Sequence, residues 1–315
     1  MKIAILTFNY GYAGKVVNGP GMCLANFVKF LNQVIPSIEV EVFTQLTPIK
    51  PIPNVHSISN NKLLSKTIKY VDLVHHWSGI TPELVRAVIY ANQLQKKVII
   101  GPNVLDTVEF EKEKGFLRKV AFEKILTANN RLSFKISKEH NIPINKVISF
   151  QVGPDLDLWT PSAERDGTIL WKGNSKQFVK DVDFAKRIES KIGNKYTFKF
   201  IGYPNPYDYY NHIAEARLSK MTITTSLSET MNLSQLESWS SGIPSVSHPK
   251  IYMHGKNYQT GIITNKTIDE YIDAINEIMQ NEQLYQYLSL GCRQYILDEF
   301  SASKTVEKYL QIISN

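Results

Sequence analysis

The stretch SLSETMNLSQLESWSSGIPSV, residues 226–246, decides the fold of the second half of the chain. A β-rich run, Met221–Thr225, comes directly before it, so the stretch begins where a buried strand ends. Its centre, Leu233–Ser240, reads as a short helix, and the Gly-Ile-Pro that follows is a typical helix end. Glu229 therefore lies in the loop after the strand, and Glu237 about one turn into the helix. Strand, loop and helix in this order are the repeating unit of a parallel α/β sheet.

The same alternation extends outward over the whole chain. Strands of the first half are predicted at Ile3–Phe8, Val40–Thr44, Leu73–His75, Val98–Ile100 and Val147–Phe150, with helices at Met22–Gln33, Pro82–Gln95, Phe116–Thr127 and Phe134–Asn141. Strands of the second half are predicted at Thr168–Trp171, Thr197–Ile201, Met221–Thr225 and Ser245–Ser247, with helices at Val182–Lys191, Tyr209–Ser219, Leu233–Ser240 and Thr267–Gln280. This pattern predicts an α/β fold of two Rossmann-like, doubly wound domains that face a central cleft.

A stretch rich in Gly, Pro and Asp, residues 153–167, is typical of a linker between domains. We therefore expect one domain over residues 1–158 and a second over residues 166–300. A chain of 315 residues is long enough for two domains of ordinary size.

Composition narrows the class of protein. No apolar run approaches the ~20 residues that cross a bilayer, and the N-terminus lacks the pattern of a signal peptide. Two distant cysteines, Cys23 and Cys292, predict free thiols and a cytoplasmic protein. The net charge of +7 favours an anionic partner. Residues 110–140 carry eight basic and four acidic side chains, which indicates either a solvated mixed-charge face or a docking surface for an anionic acceptor.

The helix that carries Glu237 suits a nucleotide. A helix N-terminus offers free N–H groups to an anion, here from the residues around Asn232 and Leu233. A carboxylate one turn in can accept hydrogen bonds from a ribose diol, as acidic residues do in dinucleotide-binding folds.

The Glu229/Glu237 pair resembles the Glu-x7-Glu signature of the large retaining glycosyltransferase family numbered four, which has the GT-B fold. The resemblance implies that Glu237 holds the ribose of a nucleotide-sugar donor and that Glu229 lies near the transferred sugar. It makes residues 166–300 the donor domain and residues 1–158 the acceptor side. The closing helix, about residues 302–315, is then expected to pack back on the first domain.

Other segments support the resemblance. Asn18-Gly19-Pro20-Gly21 resembles the glycine loop of the family, which implies that Gly21 approaches the donor. The strand end Asp72-Leu-Val-His75-His76 resembles the Asp-φ-φ-His motif, which implies a catalytic role for His75; a core histidine bonded to the backbone is the equal alternative. The turn at residues 151–157, the start of the second domain at 169–173 and the Phe300-Ser301 pair match as well.

The chain departs from the family at three places. Lys180 fits the phosphate-binding lysine, but Asn174 stands where an arginine is usual, so Lys176 or Lys172 would have to replace it. Met231-Asn232 replaces small glycines, which implies a different sugar pocket with Asn232 in it. Asn103 stands where the family often has a histidine, and an amide hydrogen-bonds a sugar but is no base at neutral pH.

An aromatic loop follows the predicted strand Thr197–Ile201. There Gly202 and Tyr203 are expected to contact the nucleotide base, with a plain proline-rich loop as the alternative. No cluster of metal-ligand spacing occurs in the sequence, and Asp155-Leu-Asp157 lies at the linker, so we expect a metal-independent enzyme with no cofactor besides its donor substrate.

The resemblance therefore implies a hexosyl- or pentosyltransferase that retains anomeric configuration. The expected acceptor is a glycan or a lipid-linked glycan, with peripheral contact to a membrane. One alternative is transfer to hydroxymethylated bases of DNA, as some viral GT-B enzymes do, which the positive charge also suits. The other is a GT-B-like protein that binds nucleotide or glycan without catalysis.

Overall fold

The structure, a computed structural model, describes residues 1–11, 19–46, 48, 51–106, 109–202, 209–229, 231–249, 251 and 257–314, and the side chains of all of these except 209–211. The chain forms two compact units. The first comprises Met1–Val152 with Ala302–Asn315, and the second comprises Gly153–Ser301.

The first unit is built on a seven-stranded parallel sheet. Its strands are β1 (Lys2–Thr7), β2 (Glu39–Thr44), β3 (Val55–Ser57), β4 (Leu73–Ser78), β5 (Lys97–Asn103), β6 (Lys124–Thr127) and β7 (Val147–Ser149). They lie in the order β3-β2-β1-β4-β5-β6-β7. The direction of winding reverses between β1 and β4, which is where doubly wound sheets open a crevice at their carboxyl edge.

The described residues of this unit form the α-helices α1 (Gly19–Val34), α2 (Asn61–Tyr70), α3 (Pro82–Gln93), α4 (Phe110–Leu117), α5 (Asn130–His140) and α11 (Ala302–Ser314). Helix α11 packs on α1, although the two are separated by most of the chain. The starts of α2, α3 and α5 are capped by the side chains of Asn60, Thr81 and Asn129, which accept hydrogen bonds from the first turn.

Every residue of strand β4 is buried, although buried and exposed residues alternate in a strand with one face in solvent. Val74 belongs to the hydrophobic core under α2 to α5, and His76 meets the ring of Phe116 there. His75 and Trp77 point to the other face, where they pack with an aromatic cluster that includes Tyr309. Both faces of the sheet are therefore covered, as parallel sheets require.

The second unit has a five-stranded parallel sheet. Its strands are β8 (Ile169–Lys172), β9 (Phe198–Ile201), β10 (Met221–Ile223), β11 (Ser245–Ser247) and β12 (Gly261–Ile263), in the order β12-β11-β10-β8-β9. Its helices are α6 (Val182–Ile192), α7 (Tyr209–Leu218), α8 (Leu233–Ser240), α9 (Ile268–Gln280) and α10 (Glu282–Phe300). The predicted α/β class, with a parallel sheet and helices in each half, is confirmed.

Some predicted elements were wrong or missing. The helix expected at Phe116–Thr127 is wrong, because α4 ends at Leu117 and residues 124–127 form β6. The apolar pair Ile125-Leu126 fits either a helix or a short buried strand, and the neighbouring strands β5 and β7 decide the outcome. Strands β3 and β12 and helices α2 and α10 were not predicted.

Residues 153–158 lie with the second unit. Gly153 is packed so closely on Phe300 that a Cβ atom at this position would stand 2.2 Å from the Phe300 carbonyl oxygen. Cys23 and Cys292 are both buried, and they form no disulfide with each other. None of the helices in the described ranges is long and apolar enough to cross a membrane.

Candidate functional site

The candidate site lies at the carboxyl edge of the second sheet. Parallel strands end at the same edge, so the loops after β8 and β10 meet there. The last residue of β8, these two loops and the helix α8 carry four charged side chains that form two ion pairs: Lys180 with Glu229, and Lys172 with Glu237. The sequence separates the partners of each pair by 49 and 65 residues.

The first pair is partly open to solvent. The Nζ atom of Lys180 lies 2.5 Å from the Oε1 atom of Glu229, with side-chain exposures of 20% and 9%. The Ser226 hydroxyl donates to the same carboxylate oxygen at 2.7 Å. The pair therefore presents a lysine ammonium and a carboxylate together at the loop edge.

Hydrogen bonds to Thr225 fix the turn that ends in Lys180. The Thr225 hydroxyl accepts a bond from the Trp171 indole N–H at 2.9 Å and donates to the carbonyl oxygens of Lys180 and Asp181, both at 3.0 Å. Asp181 has a φ of 47° and caps α6 through its side chain, and it also pairs with Lys266. The backbone around Lys180 is therefore held from several sides before any ligand binds.

The second pair is buried. The Lys172 ammonium donates to the Glu237 carboxylate, and the two side chains are only 3% and 4% exposed. The same ammonium lies 4.4 Å from the centre of the Trp159 ring. Burial lowers the pKa of Lys172, while the charge and hydrogen bond of Glu237 act in the opposite direction. The pKa of His212 is lowered mainly by burial and secondly by the charge of Lys172.

Helix α8 begins beside Glu229. The Asn232 side chain caps the helix by accepting a hydrogen bond from the Gln235 N–H at 3.2 Å. The amide oxygen of Asn232 is thus engaged within the protein. The N–H groups of the next residues, Leu233 and Ser234, occupy the first turn, where helices leave N–H groups without intrahelical partners. This end of α8 favours a negatively charged ligand group.

The other predicted donor contacts are spread over the same edge. Lys176 is exposed, and its backbone N–H donates to the Asn174 side chain at 3.1 Å. Gly202 is buried with a φ of 87° directly after β9. Tyr203 falls outside the described residues.

In the first unit, His75 is fully buried and both of its ring nitrogens have partners. Its Nδ1 atom lies 3.0 Å from the Tyr309 hydroxyl, and its Nε2 atom lies 2.7 Å from the Gly101 carbonyl oxygen. Burial lowers the pKa of His75 to about 3. This is the arrangement of a core histidine that joins α11 to the sheet. His76 is also buried, with its Nε2 atom 2.7 Å from the Gly79 carbonyl oxygen.

Asn103 and Gly21 lie at the carboxyl edge of the first sheet. Asn103 ends β5, and its buried amide nitrogen has no hydrogen-bond partner among the residues that the structure describes. Gly21 is buried in the first turn of α1, where its carbonyl oxygen accepts from the Gly11 N–H at 2.9 Å. Asn103 therefore has an unused donor, and Gly21 lies where the strand β1 passes into its helix.

Sequence reasoning missed three participants of the site: Thr225, Ser226 and His248. The His248 ring lies 2.8 Å from the carbonyl oxygen of Ser226 and holds the start of the loop. A polar run directly after a buried strand was the available signal for Thr225 and Ser226. The pairing of Lys172 with Glu237 had no signal in the sequence. Among the described residues, no group of three or more His, Cys, Asp or Glu side chains is arranged to hold a metal ion.

The sequence matches no family model and no curated protein. The structure resembles solved structures over the full length of both chains. Sucrose-phosphate synthase from Thermosynechococcus elongatus aligns with a TM-score of 0.71 at 12% identity, with 100% of each chain covered. Anabaena HepE in complex with UDP and glucose aligns with a TM-score of 0.71 at 13% identity, again with 100% of each chain covered.

An alpha-glucosyltransferase in complex with UDP and a 13-mer DNA containing an HMU base aligns with a TM-score of 0.73 at 10% identity, with 100% of each chain covered. Identities this low carry information on the fold and not on the substrate. The fold of this chain is the GT-B fold of these glycosyltransferases.

Proposed function

We propose that this protein is a glycosyltransferase that takes its sugar from a nucleotide-sugar donor held by the second unit. The observation that carries the proposal is the Lys180–Glu229 pair beside the first turn of α8. A cation, a carboxylate and a helix N-terminus at the carboxyl edge of a parallel sheet suit a sugar diphosphate, which offers both anionic oxygens and hydroxyl groups. Two of the similar structures hold UDP, which supports a donor of this class.

In this proposal, Lys180 and the N–H groups of Leu233 and Ser234 bind the diphosphate, with Lys176 as a second lysine on the exposed loop. Glu237 accepts hydrogen bonds from the ribose diol in addition to the one that it accepts from the Lys172 ammonium. The base lies toward Gly202 and Tyr203. The family resemblance also implies that Gly21 contacts the donor.

The reaction transfers a glycosyl group to an acceptor hydroxyl. The acceptor oxygen forms a bond to the anomeric carbon, the bond from that carbon to the phosphate oxygen breaks, and the nucleoside diphosphate departs with the electron pair. The acceptor proton passes to the departing phosphate oxygen. Lys180 and the α8 N–H groups stabilise the charge that develops on this oxygen, so the rate depends mainly on positioning and electrostatics.

Glu229 is proposed to lie against the transferred sugar, where its carboxylate accepts hydrogen bonds from sugar hydroxyls and orients Lys180. Asn103 is proposed to donate its free amide hydrogen to a substrate oxygen. His75 lies in the middle of β4, and its ring nitrogens are used by Tyr309 and Gly101, so it acts by supporting β5. Retention of configuration, transfer of a hexose or pentose, and independence of metal ions are parts of the same proposal.

The proposed acceptor is a glycan or a lipid-linked glycan, and the charge distribution also favours a second candidate. The first unit holds 21 Lys and Arg against 11 Asp and Glu, a net charge of +10, and the second holds 15 against 18, a net charge of −3, which together give the +7 of the chain. A polyanion such as DNA with hydroxymethylated bases is therefore the second candidate acceptor, supported by the DNA in one similar structure.

Binding of nucleoside diphosphates and their sugars, measured by calorimetry, tests the donor site. Lys180→Ala should weaken binding about 10- to 100-fold, because a hydrogen bond to a charged group contributes about 1.5–3 kcal/mol. Lys191→Ala is the matched control, since Lys191 lies at the far end of α6 and pairs with Asp269. Equal affinity of Lys180→Ala and the parent protein would refute the donor site. A protein that binds the donor but neither transfers nor hydrolyses its sugar would support the non-catalytic alternative.

A further inference from the structure

A groove of about 560 Å³ lies between α3 and α4 on the first unit. Its size is that of ordinary ligand-binding pockets. The apolar side chains along it are Ile80, Val85 and Ile89, which are partly buried, and Phe116, which is buried. These residues come from α3, from the loop before it and from α4, so the groove follows the line where the two helices meet.

The rim of the groove is cationic. All three charged residues that line it are basic: Arg86, Lys112 and Lys119, and all three are exposed. Arg86 pairs with Glu83 at 2.9 Å, and Lys112 pairs with Glu109 at 2.7 Å. Both contacts are exposed pairs one helical turn apart, which contribute little energy and can be exchanged for a stronger partner. Lys119 makes no ion pair with any residue in the described part of the chain.

An apolar trough with a cationic rim is complementary to a molecule that has an aliphatic chain and a phosphate. Each CH₂ group removed from water contributes about 0.8 kcal/mol. Each Lys or Arg near an anionic lipid surface contributes about 1 kcal/mol. A nucleic acid would use the three cations, but it has no aliphatic group to place on Val85, Ile89 and Ile80.

We propose that this groove binds an anionic membrane phospholipid, with an acyl chain between α3 and α4 and the headgroup phosphate at Arg86, Lys112 and Lys119. The site lies wholly within the first unit. It therefore does not depend on the proposed donor site, and it would bring the first unit to a membrane surface.

Gly115 provides a direct test, because it lines the groove and a Cβ atom at this position would meet nothing within 4 Å. Gly115→Leu should fill the groove without disturbing the core, and leucine is a better helix former than glycine. The probe is monomeric dodecyl phosphate, titrated against the full chain by calorimetry. We expect the dissociation constant to rise at least 10-fold. Ile89→Gln, which places an amide on the groove wall, is the second variant and should act in the same direction.

The charge requirement is tested with two triple variants of equal charge change. Arg86→Gln/Lys112→Gln/Lys119→Gln should weaken dodecyl phosphate binding about 100-fold. The matched control neutralises Lys62, Lys66 and Lys69, the exposed basic residues of α2, which do not line the groove. It should change the dissociation constant less than 3-fold. Vesicles of phosphatidylglycerol and phosphatidylcholine should then bind the parent protein and lose binding with Gly115→Leu.

Three outcomes would overturn the proposal. In the first, Gly115→Leu and Ile89→Gln both bind dodecyl phosphate like the parent protein. In the second, both triple variants weaken dodecyl phosphate binding equally. In the third, a DNA duplex binds the parent protein, loses affinity to the same extent in the groove triple variant, and keeps its affinity in Gly115→Leu. The last two results would indicate a general polyanion surface. Nucleoside diphosphate binding by each variant, which should be unchanged, separates failure of this proposal from failure of the donor site.

Discussion

Replacing Glu237 by glutamine would leave the Lys172 ammonium inside the second unit without its carboxylate. The two side chains are 3% and 4% exposed, so water cannot replace the lost partner. Removing one partner of a buried ion pair lowers the free energy of unfolding by about 3–5 kcal/mol, whereas an exposed pair contributes about 1 kcal/mol or less. We therefore expect Glu237→Gln to lower the free energy of unfolding of the second unit by about 3–5 kcal/mol at pH 7.

The loss should depend on pH in a defined direction. Burial already lowers the pKa of Lys172 below 10.5, and Glu237 is the group that opposes this shift. Without Glu237, the pKa of Lys172 in the folded protein falls further, so the unfolded chain binds the proton more readily. The free energy of unfolding then rises with pH between the folded pKa and 10.5. Glu237→Gln should consequently be less destabilised at pH 9 than at pH 7.

Urea unfolding followed by tryptophan fluorescence measures the effect, because Trp159, Trp171 and Trp239 are buried in the second unit. The matched control is Asp269→Asn, which breaks the exposed pair of Asp269 with Lys191 and should cost less than about 1 kcal/mol.

A double variant, Lys172→Met/Glu237→Leu, should recover most of the stability that Glu237→Gln loses, since it removes both buried charges. An equal cost for Glu237→Gln and Asp269→Asn would refute the reasoning, because it would mean that the pair of Glu237 is not desolvated.

Three further predictions concern the supports of the site and of the first sheet. Thr225→Val removes the hydroxyl that bonds the Lys180 carbonyl and should weaken nucleoside diphosphate binding about 3- to 10-fold, measured by calorimetry; an unchanged affinity would show that the turn is held without it. Because burial lowers the pKa of His75 to about 3, the unfolded chain takes up the proton first, and unfolding free energy should fall by about 2 kcal/mol from pH 6.5 to pH 5 on account of His75 alone. His75→Gln should show a correspondingly smaller fall in paired urea titrations, and identical slopes would contradict the assignment. Gly242→Ala should lower the melting temperature, at a cost of about 1–2 kcal/mol, since Gly242 has a φ of 69° and a Cβ atom there would lie 2.9 Å from the Ser289 hydroxyl; a neutral effect would argue against this helix end.

The sequence by itself determined the features that arise from neighbouring residues. The bounds predicted for α8 and β11 agree with the structure, because an apolar strand, a capping Asn232 and a terminating Gly242 act within one or two turns. The alternation of such units was enough to predict two parallel sheets. The positions of Glu229 and Lys180 in loops after strands followed from the same local pattern.

The tertiary structure decided which distant groups come into contact and whether an ambiguous segment forms a helix or a strand. Residues 124–127 became a strand because β5 and β7 offer hydrogen bonds on both sides, which no local propensity expresses. His75 became a core group because Tyr309, 234 residues away, returns to its ring. Lys172 faces Glu237 because the end of β8 lies against the middle of α8 in the second unit. Desolvation acts on whichever groups the packed chain brings together, so the energies of these pairs are set by the fold and not by the order of residues.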